Sequence, residues 1–228
     1  MQPCLVLFDF DGTLADTAPD LAAAANRQRS YRGLDPLPYE ALRPYASHGA
    51  RGLLKAALDL DPGSEEYERS RQQFLQDYAQ DMLTHTRLFS GIDALLDQLA
   101  DASVGWGIVT NKVESLALPI VRHLGLEPRC RVTVGGDTTP HAKPHPEPLL
   151  HAARQAGFTP DQCLYVGDDE RDIVAGKAAG MATVVAAYGY CSLDDPNRWQ
   201  ADAIARQPAD LWPIIQRWAQ QREPNPLP

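Results

Sequence analysis

Leu5-Val6-Leu7-Phe8-Asp9-Phe10-Asp11-Gly12-Thr13 is the stretch on which the fold turns. Its first four residues form an unbroken apolar run, the pattern of a strand covered on both faces. The run ends in two carboxylates two positions apart, then a glycine suited to a tight turn and a threonine hydroxyl. If the extended geometry continues, Asp9 and Asp11 project to one side. Their repulsion calls for a counter-cation, and hard oxygen donors suit Mg²⁺. The same letters also fit an Asx-rich turn leading into a helix.

Similar apolar runs recur at Trp106–Val109, Leu164–Val166 and Thr183–Ala187, with weaker ones at Arg131–Val134 and Ala203–Ala205. Helical stretches at Ile92–Ala100, Ser115–Leu124, Glu147–Gln155 and Ile173–Ala179 lie between or beside them. Strands alternating with helices of about ten residues predict βαβ units. The expected fold class is therefore α/β, a doubly wound parallel sheet with a Rossmann-like core. From Ala15 to about His85 the alternation stops. Leu21–Arg29, Leu53–Leu58 and Tyr67–Leu83 read as helices there, with no convincing strand among them. Asp35-Pro36-Leu37-Pro38 and Leu60-Asp61-Pro62-Gly63 read as the turns that join them. This predicts a helical cap inserted after the first strand: 15–85 as cap, 1–14 and 86–222 as core. Glu223–Pro228, with three prolines in six residues, is expected to fray.

The chain has 228 residues, with 21 Lys+Arg against 30 Asp+Glu and a formal net charge of −9. Without a basic excess it is not a general polyanion binder, so no nucleic-acid partner is expected. A small anionic substrate stays open, because a site can reverse the sign locally. Cys4, Cys130, Cys163 and Cys191 are widely spaced with no CxxC pair, which argues against a zinc cluster or a disulfide framework. Leu5–Phe8 is too short for a signal peptide core or a membrane span. A cytoplasmic monomer or homodimer that does not meet a membrane is expected.

Three further segments carry chemistry. Val109-Thr110-Asn111-Lys112 ends a strand, where a hydroxyl and the following N–H groups can hold a phosphate oxygen. Thr110 is equally a plain helix cap. Lys143, in Ala142-Lys143-Pro144-His145-Pro146, sits in a stiffened backbone and can neutralise a phosphate or a carboxylate, or simply be a solvated loop lysine. Gly167-Asp168-Asp169-Glu170-Arg171-Asp172 packs four acids into five positions after another apolar strand. A helix dipole accounts for one or two of them; four call for a cation or a basic partner. All four segments fall at carboxyl ends of expected strands or in loops beyond them, where α/β sheets bind ligands. Together they point to phosphoryl transfer.

The ordered set Asp9-Phe10-Asp11-Gly12-Thr13, Thr110, Lys143 and Gly167-Asp168-Asp169-x-x-Asp172 resembles the haloacid dehalogenase-like hydrolases across nearly the whole chain. That resemblance implies Asp9 as a nucleophile forming an aspartyl phosphate, and Asp11 as general acid and base. It implies Mg²⁺ held by Asp9, the backbone carbonyl of Asp11, and Asp168. Asp172, with Asp169, would support the site by orienting Lys143 or the metal's waters. Thr110, Asn111 and Lys143 would bind the transferring phosphoryl group. An acid at position 11 favours phosphoryl chemistry over carbon–halogen cleavage. Within the family the chain looks most like the phosphoglycolate phosphatase group, whose cap segment Ser47-His48-Gly49-Ala50-Arg51-Gly52 resembles. Arg51 could pair bidentately with a substrate carboxylate, or be a solvated helix residue. Val109–Lys112, Tyr188-Gly189-Tyr190 and Asp195–Asp202 resemble the bacterial N-acetylmuramic acid 6-phosphate phosphatases more narrowly. The resemblance therefore implies a Mg²⁺-dependent phosphatase for a small phosphorylated metabolite. Alternatives are a phosphosugar mutase on the same fold and, more distantly, a phospho-receiver signalling module. Receivers are about half this length and lack the helical insertion.

Overall fold

In the computed structural model, residues 4–191 and 195–222 are described. The expected fraying of Glu223–Pro228 lies outside them. The chain opens with β1 (Leu5–Phe8) and the two-residue β2 (Ala15–Asp16). Four helices follow: α1 (Ala18–Ser30), α2 (Tyr39–Leu42), α3 (Gly49–Leu58) and α4 (Glu65–Asp81). The chain returns through β3 (Arg87–Leu88) and then alternates α5 (Ile92–Asp101), β4 (Gly105–Val109), α6 (Glu114–His123) and β5 (Thr133–Val134). It continues with α7 (Glu147–Ala156), β6 (Cys163–Gly167), α8 (Glu170–Ala178) and β7 (Ala182–Ala186). It closes with β8 (Ala203–Ala205) and α9 (Leu211–Gln221).

Six strands pair in the order β5-β4-β1-β6-β7-β8, all parallel. This is the expected doubly wound sheet. β1 runs through its middle, with β4 and β5 on one side and β6 to β8 on the other, so the strand order reverses at its carboxyl end. An open α/β sheet binds ligands at that crevice. Alternation along β1 explains its apolar run. Val6 and Phe8 belong to one buried cluster, Leu5 and Leu7 to another. Fully burying each such side chain contributes about 1.5–3 kcal/mol.

The first cluster continues without a break into the helices between β2 and β3. Ala18, Leu21, Ala22 and Ala25 of α1 recur at the helical period, as do Tyr67, Phe74 and Tyr78 of α4. One expectation is corrected. The stretch from Ala15 to His85 contains a strand, because Ala15–Asp16 pairs antiparallel with Arg87–Leu88. A two-residue ribbon is too short to carry any periodicity, so the sequence pattern could not announce it. The weaker strand expected at Arg131–Val134 shrinks to Thr133–Val134. α9 had no counterpart among the expected helices. Its Pro213 stands in the first turn, where the missing N–H costs nothing.

Candidate active site

β1, β4 and β6 deliver their carboxyl-terminal loops to one place. Directly after β1, Asp9 donates its N–H to Val166 O of β6 (2.8 Å), which locks the first acid beside that strand. Gly12 then turns with φ +81. A Cβ there would lie 2.1 Å from Asp168 Oδ2, so both the backbone and the space demand glycine. After β6, Asp169 caps α8 by accepting from Arg171 N, while the carboxylate of Asp172 accepts from Asp169 N. This reciprocal cap turns Asp168 and Asp172 inward, where they are almost wholly buried.

Carboxylate oxygens of Asp9, Asp168 and Asp172 converge within 4.8 Å of one another. Lys143 threads between two of them, its ammonium 2.8 Å from Asp9 Oδ1 and 2.7 Å from Asp172 Oδ1. It also donates to Val109 O (3.0 Å) and the Tyr165 hydroxyl (2.8 Å). Burial opposes its charge, but Asp172 and Asp9 outweigh that and hold its pKa above the ordinary lysine value. One lysine does not neutralise three acids. Burial, and then repulsion from Asp172, push Asp9 up to about 7 against the pull of Lys143. Burial and the charges of Asp9 and Asp172 raise Asp168 well above the usual carboxylate range. Asp9 Oδ1 is also buried without a hydrogen bond of good geometry, although the lysine is near. A deficit of positive charge and an orphaned hard oxygen fit a divalent cation such as Mg²⁺.

The other expected residues surround this cluster. The Thr110 hydroxyl accepts from Lys112 N (3.1 Å), which leaves its own proton free to donate. Asn111 commits its side-chain amide to the main chain of Lys143, accepting at 2.9 Å and donating at 3.0 Å. The Asp11 carboxylate stands apart from the acid cluster and is engaged by Thr17 and Lys112. Asp169 is paired with Arg171, which outweighs burial and lowers its pKa. Arg171 in turn donates to Ser47 O of the helical insertion (2.8 Å). Ser47 Oγ itself donates to Asp168 Oδ2 (3.1 Å).

A cavity of about 260 Å³ opens over Asp9, Asp11, Thr110 and Lys143. Its far wall is apolar and aromatic, with Tyr67, Phe74 and Leu75 of α4, and Arg51 and Arg71 stand at its margin. Arg51 makes no hydrogen bond or ion pair among the described residues. The sequence did not single out Arg71, Lys112, Tyr165 or Arg171, although Lys112 and Arg171 lie inside quoted motifs. Tyr190, quoted only within Tyr188-Gly189-Tyr190, donates its N–H to Asp168 Oδ2 (2.8 Å).

An α/β sheet with clustered acids and a lysine at its switch point defines the class, and comparison with known proteins gives the family. The family profile for haloacid dehalogenase-like hydrolases matches residues 6–186. The chain belongs to that family. It is 48% identical over 212 residues to a phosphoglycolate phosphatase of Xanthomonas campestris pv. campestris, covering 92% of this chain and 95% of the relative. It is 42% identical over 213 residues to an N-acetylmuramic acid 6-phosphate phosphatase of Pseudomonas aeruginosa, covering 93% and 94%. A crystal structure from Haemophilus somnus 129PT, described as a predicted phosphoglycolate phosphatase, superposes with a TM-score of 0.84 at 29% identity, covering 95% and 99%.

Proposed function

We propose that the chain is a divalent-metal-dependent phosphoric monoester hydrolase acting on a small phosphorylated acid through an aspartyl phosphate on Asp9. The convergence of three buried carboxylates, two of them paired with one lysine, beneath a cavity lined by Asp11 and Thr110, carries this reading.

The roles follow from position. The Asp9 carboxylate attacks phosphorus, and the bond to the leaving oxygen breaks as Asp11 supplies a proton to that oxygen. Asp11, now ionised, takes a proton from water; the water oxygen attacks phosphorus, and phosphate leaves as Asp9 regains its carboxylate. Thr110 and Lys143 hold phosphoryl oxygens, and Asn111 fixes Lys143 while offering its backbone N–H. Removing one such donor typically costs about 3–4 kcal/mol of barrier. Asp9, the Asp11 carbonyl and Asp168 are the proposed metal ligands, with Asp172 beside them. A bound Mg²⁺ would supply positive charge that offsets these acids and the charge of the phosphoryl group. Residues 15–85 act as a cap over a core of 1–14 and 86–222.

Both substrates named among the relatives, 2-phosphoglycolate and N-acetylmuramic acid 6-phosphate, carry a phosphate and a carboxylate, which Arg51 can meet. The wall of Tyr67, Phe74 and Leu75 favours the larger one. Its acetamido methyl and lactyl groups would cover that wall, whereas a two-carbon acid leaves it bare. Four free cysteines suit a reducing cytoplasm, and among the described residues no helix is long and apolar enough to cross a membrane.

The test compares kcat/KM for the two acids and for hexose phosphates. Free phosphate should be released, fastest from N-acetylmuramic acid 6-phosphate, with activity lost in EDTA and in Asp9→Asn. Turnover retained in Asp9→Asn sinks the mechanism. An isomerised product without free phosphate identifies a mutase instead.

A further inference from the structure

Lys112 has no task in the chemistry above, yet it is almost as buried as Lys143, with 7% of its side chain exposed. Its ammonium meets groups from two distant parts of the chain. Asp11 Oδ1 lies 2.9 Å away, and the Tyr78 hydroxyl lies 2.9 Å away on the other side. The ammonium also stands 4.5 Å from the centroid of the Tyr78 ring. Tyr78 belongs to α4, in the helical insertion; Lys112 and Asp11 belong to loops at the sheet's carboxyl edge. Burial opposes the lysine's charge, but Asp11 and Tyr78 outweigh it and hold its pKa above the ordinary lysine value. A buried ion pair adds little net stability, so packing alone does not account for a lysine here.

The arrangement around Asp11 is specific. Thr17 Oγ and Lys112 Nζ both engage Oδ1, and among the described residues Oδ2 is left uncommitted. A carboxylate turns about its last torsion with little resistance. Two donors on one oxygen fix that torsion and hold the other oxygen ready for a reacting group.

We infer that Lys112 is a positioning residue that sets the Asp11 carboxylate for proton transfer to the departing oxygen, and that Tyr78 makes this setting depend on the seating of α4. When α4 moves away, the lysine loses its hydroxyl partner and its aromatic cover, gains water, and its hold on Asp11 loosens. Proton transfer is then assembled only beneath a closed cap, which also excludes water. This rests on the phosphatase reading above.

The test uses the full chain with Mg²⁺, as wild type, Lys112→Met, Tyr78→Phe and the double variant. Each is assayed for kcat/KM on p-nitrophenyl phosphate, whose leaving group departs without a proton. The second ester is 2-phosphoglycolate or N-acetylmuramic acid 6-phosphate, whichever the wild type turns over faster. Lys112→Met should lose about tenfold or more on the metabolite ester beyond any loss on p-nitrophenyl phosphate. Tyr78→Phe, which removes one oxygen and keeps the ring, should lose severalfold in the same sense. The double variant should be no worse than Lys112→Met, because both act through one contact chain. Equal losses on both esters, or additive losses, overturn the inference. If Lys112→Met unfolds, Tyr78→Phe decides alone by the same comparison of esters. A wild type inactive on every ester defeats the phosphatase reading itself, whereas an active wild type with insensitive variants defeats only this inference.

Discussion

Removing one acid from the buried cluster should make the metal-free protein more stable. Asp9 is raised from 3.8 to about 7, chiefly by burial. Its folded pKa lies above its unfolded one, so between those values the native state holds a proton that the unfolded chain has lost. Stability therefore falls as pH rises through about 4 to 7 and stays low above that window. A shift of about 3 units corresponds to about 4 kcal/mol at pH 8. Asp9→Asn removes this cost at nearly constant volume. It also leaves Lys143 a neutral amide oxygen in place of one charged partner, with Asp172 still at 2.7 Å, so about half the gain, roughly 2 kcal/mol, should survive. For a chain of this length that is a Tm increase of about 4–8 °C in EDTA at pH 8, shrinking to nothing near pH 4. Mg²⁺ should reverse the order, because at a hundred times its Kd it adds about 2.7 kcal/mol to the wild type and less to a variant short of one ligand. Calorimetric melts across pH, with EDTA and then with Mg²⁺, measure all of this. Asp9→Asn melting below wild type at pH 8 in EDTA, or gaining as much at pH 4, would refute the reasoning.

Two other substitutions probe the supports of the site. Gly12→Ala puts a Cβ 2.1 Å from Asp168 Oδ2 on a backbone with φ +81; Mg²⁺ affinity measured by titration calorimetry should fall with activity. Tyr190→Phe removes the hydroxyl that accepts from Thr17 N (2.8 Å) and Ala18 N (3.0 Å) and donates to Asp16 Oδ1 (2.7 Å). Two N–H groups then lose their acceptor at a cost of about 1–3 kcal/mol, visible as a lower Tm and faster hydrogen exchange at Thr17 and Ala18.

The sheet was legible because burial on both faces writes strands such as Leu5–Phe8 and Cys163–Gly167 as continuous apolar runs. Asp9, Asp11, Thr110, Asp168 and Asp172 were legible because each stands at or just beyond such a run, and Lys143 because prolines stiffen the loop around it. What those letters do to one another was less so. Asn111 fixes the main chain of Lys143 across 32 positions, a partnership that no local pattern encodes. Lys112 reads as one more polar residue before a helix until α4 folds down and sets Tyr78 against it. Tyr165 reads as a strand residue, and only the sheet's register places its hydroxyl against Lys143 and Asp172. The ribbon of β2 and β3 escaped because two residues a side have no period.

The helical insertion leaves and rejoins the core through that ribbon, and both junctions are tied from outside it. At the departing junction the Tyr190 hydroxyl clasps Asp16, Thr17 and Ala18. At the returning one Asp20 accepts from the backbone N–H of His85 and of Thr86. Tyr190 comes from the loop after β7, whereas Asp20 is part of α1 itself. The first fastening therefore stays with the core, and the second travels with the insertion. For anyone exchanging the helical segment to change substrate range, the natural graft runs from Ala18 to Thr86. A donor segment needs its own counterpart of Asp20, but it inherits the Tyr190 clasp from the recipient.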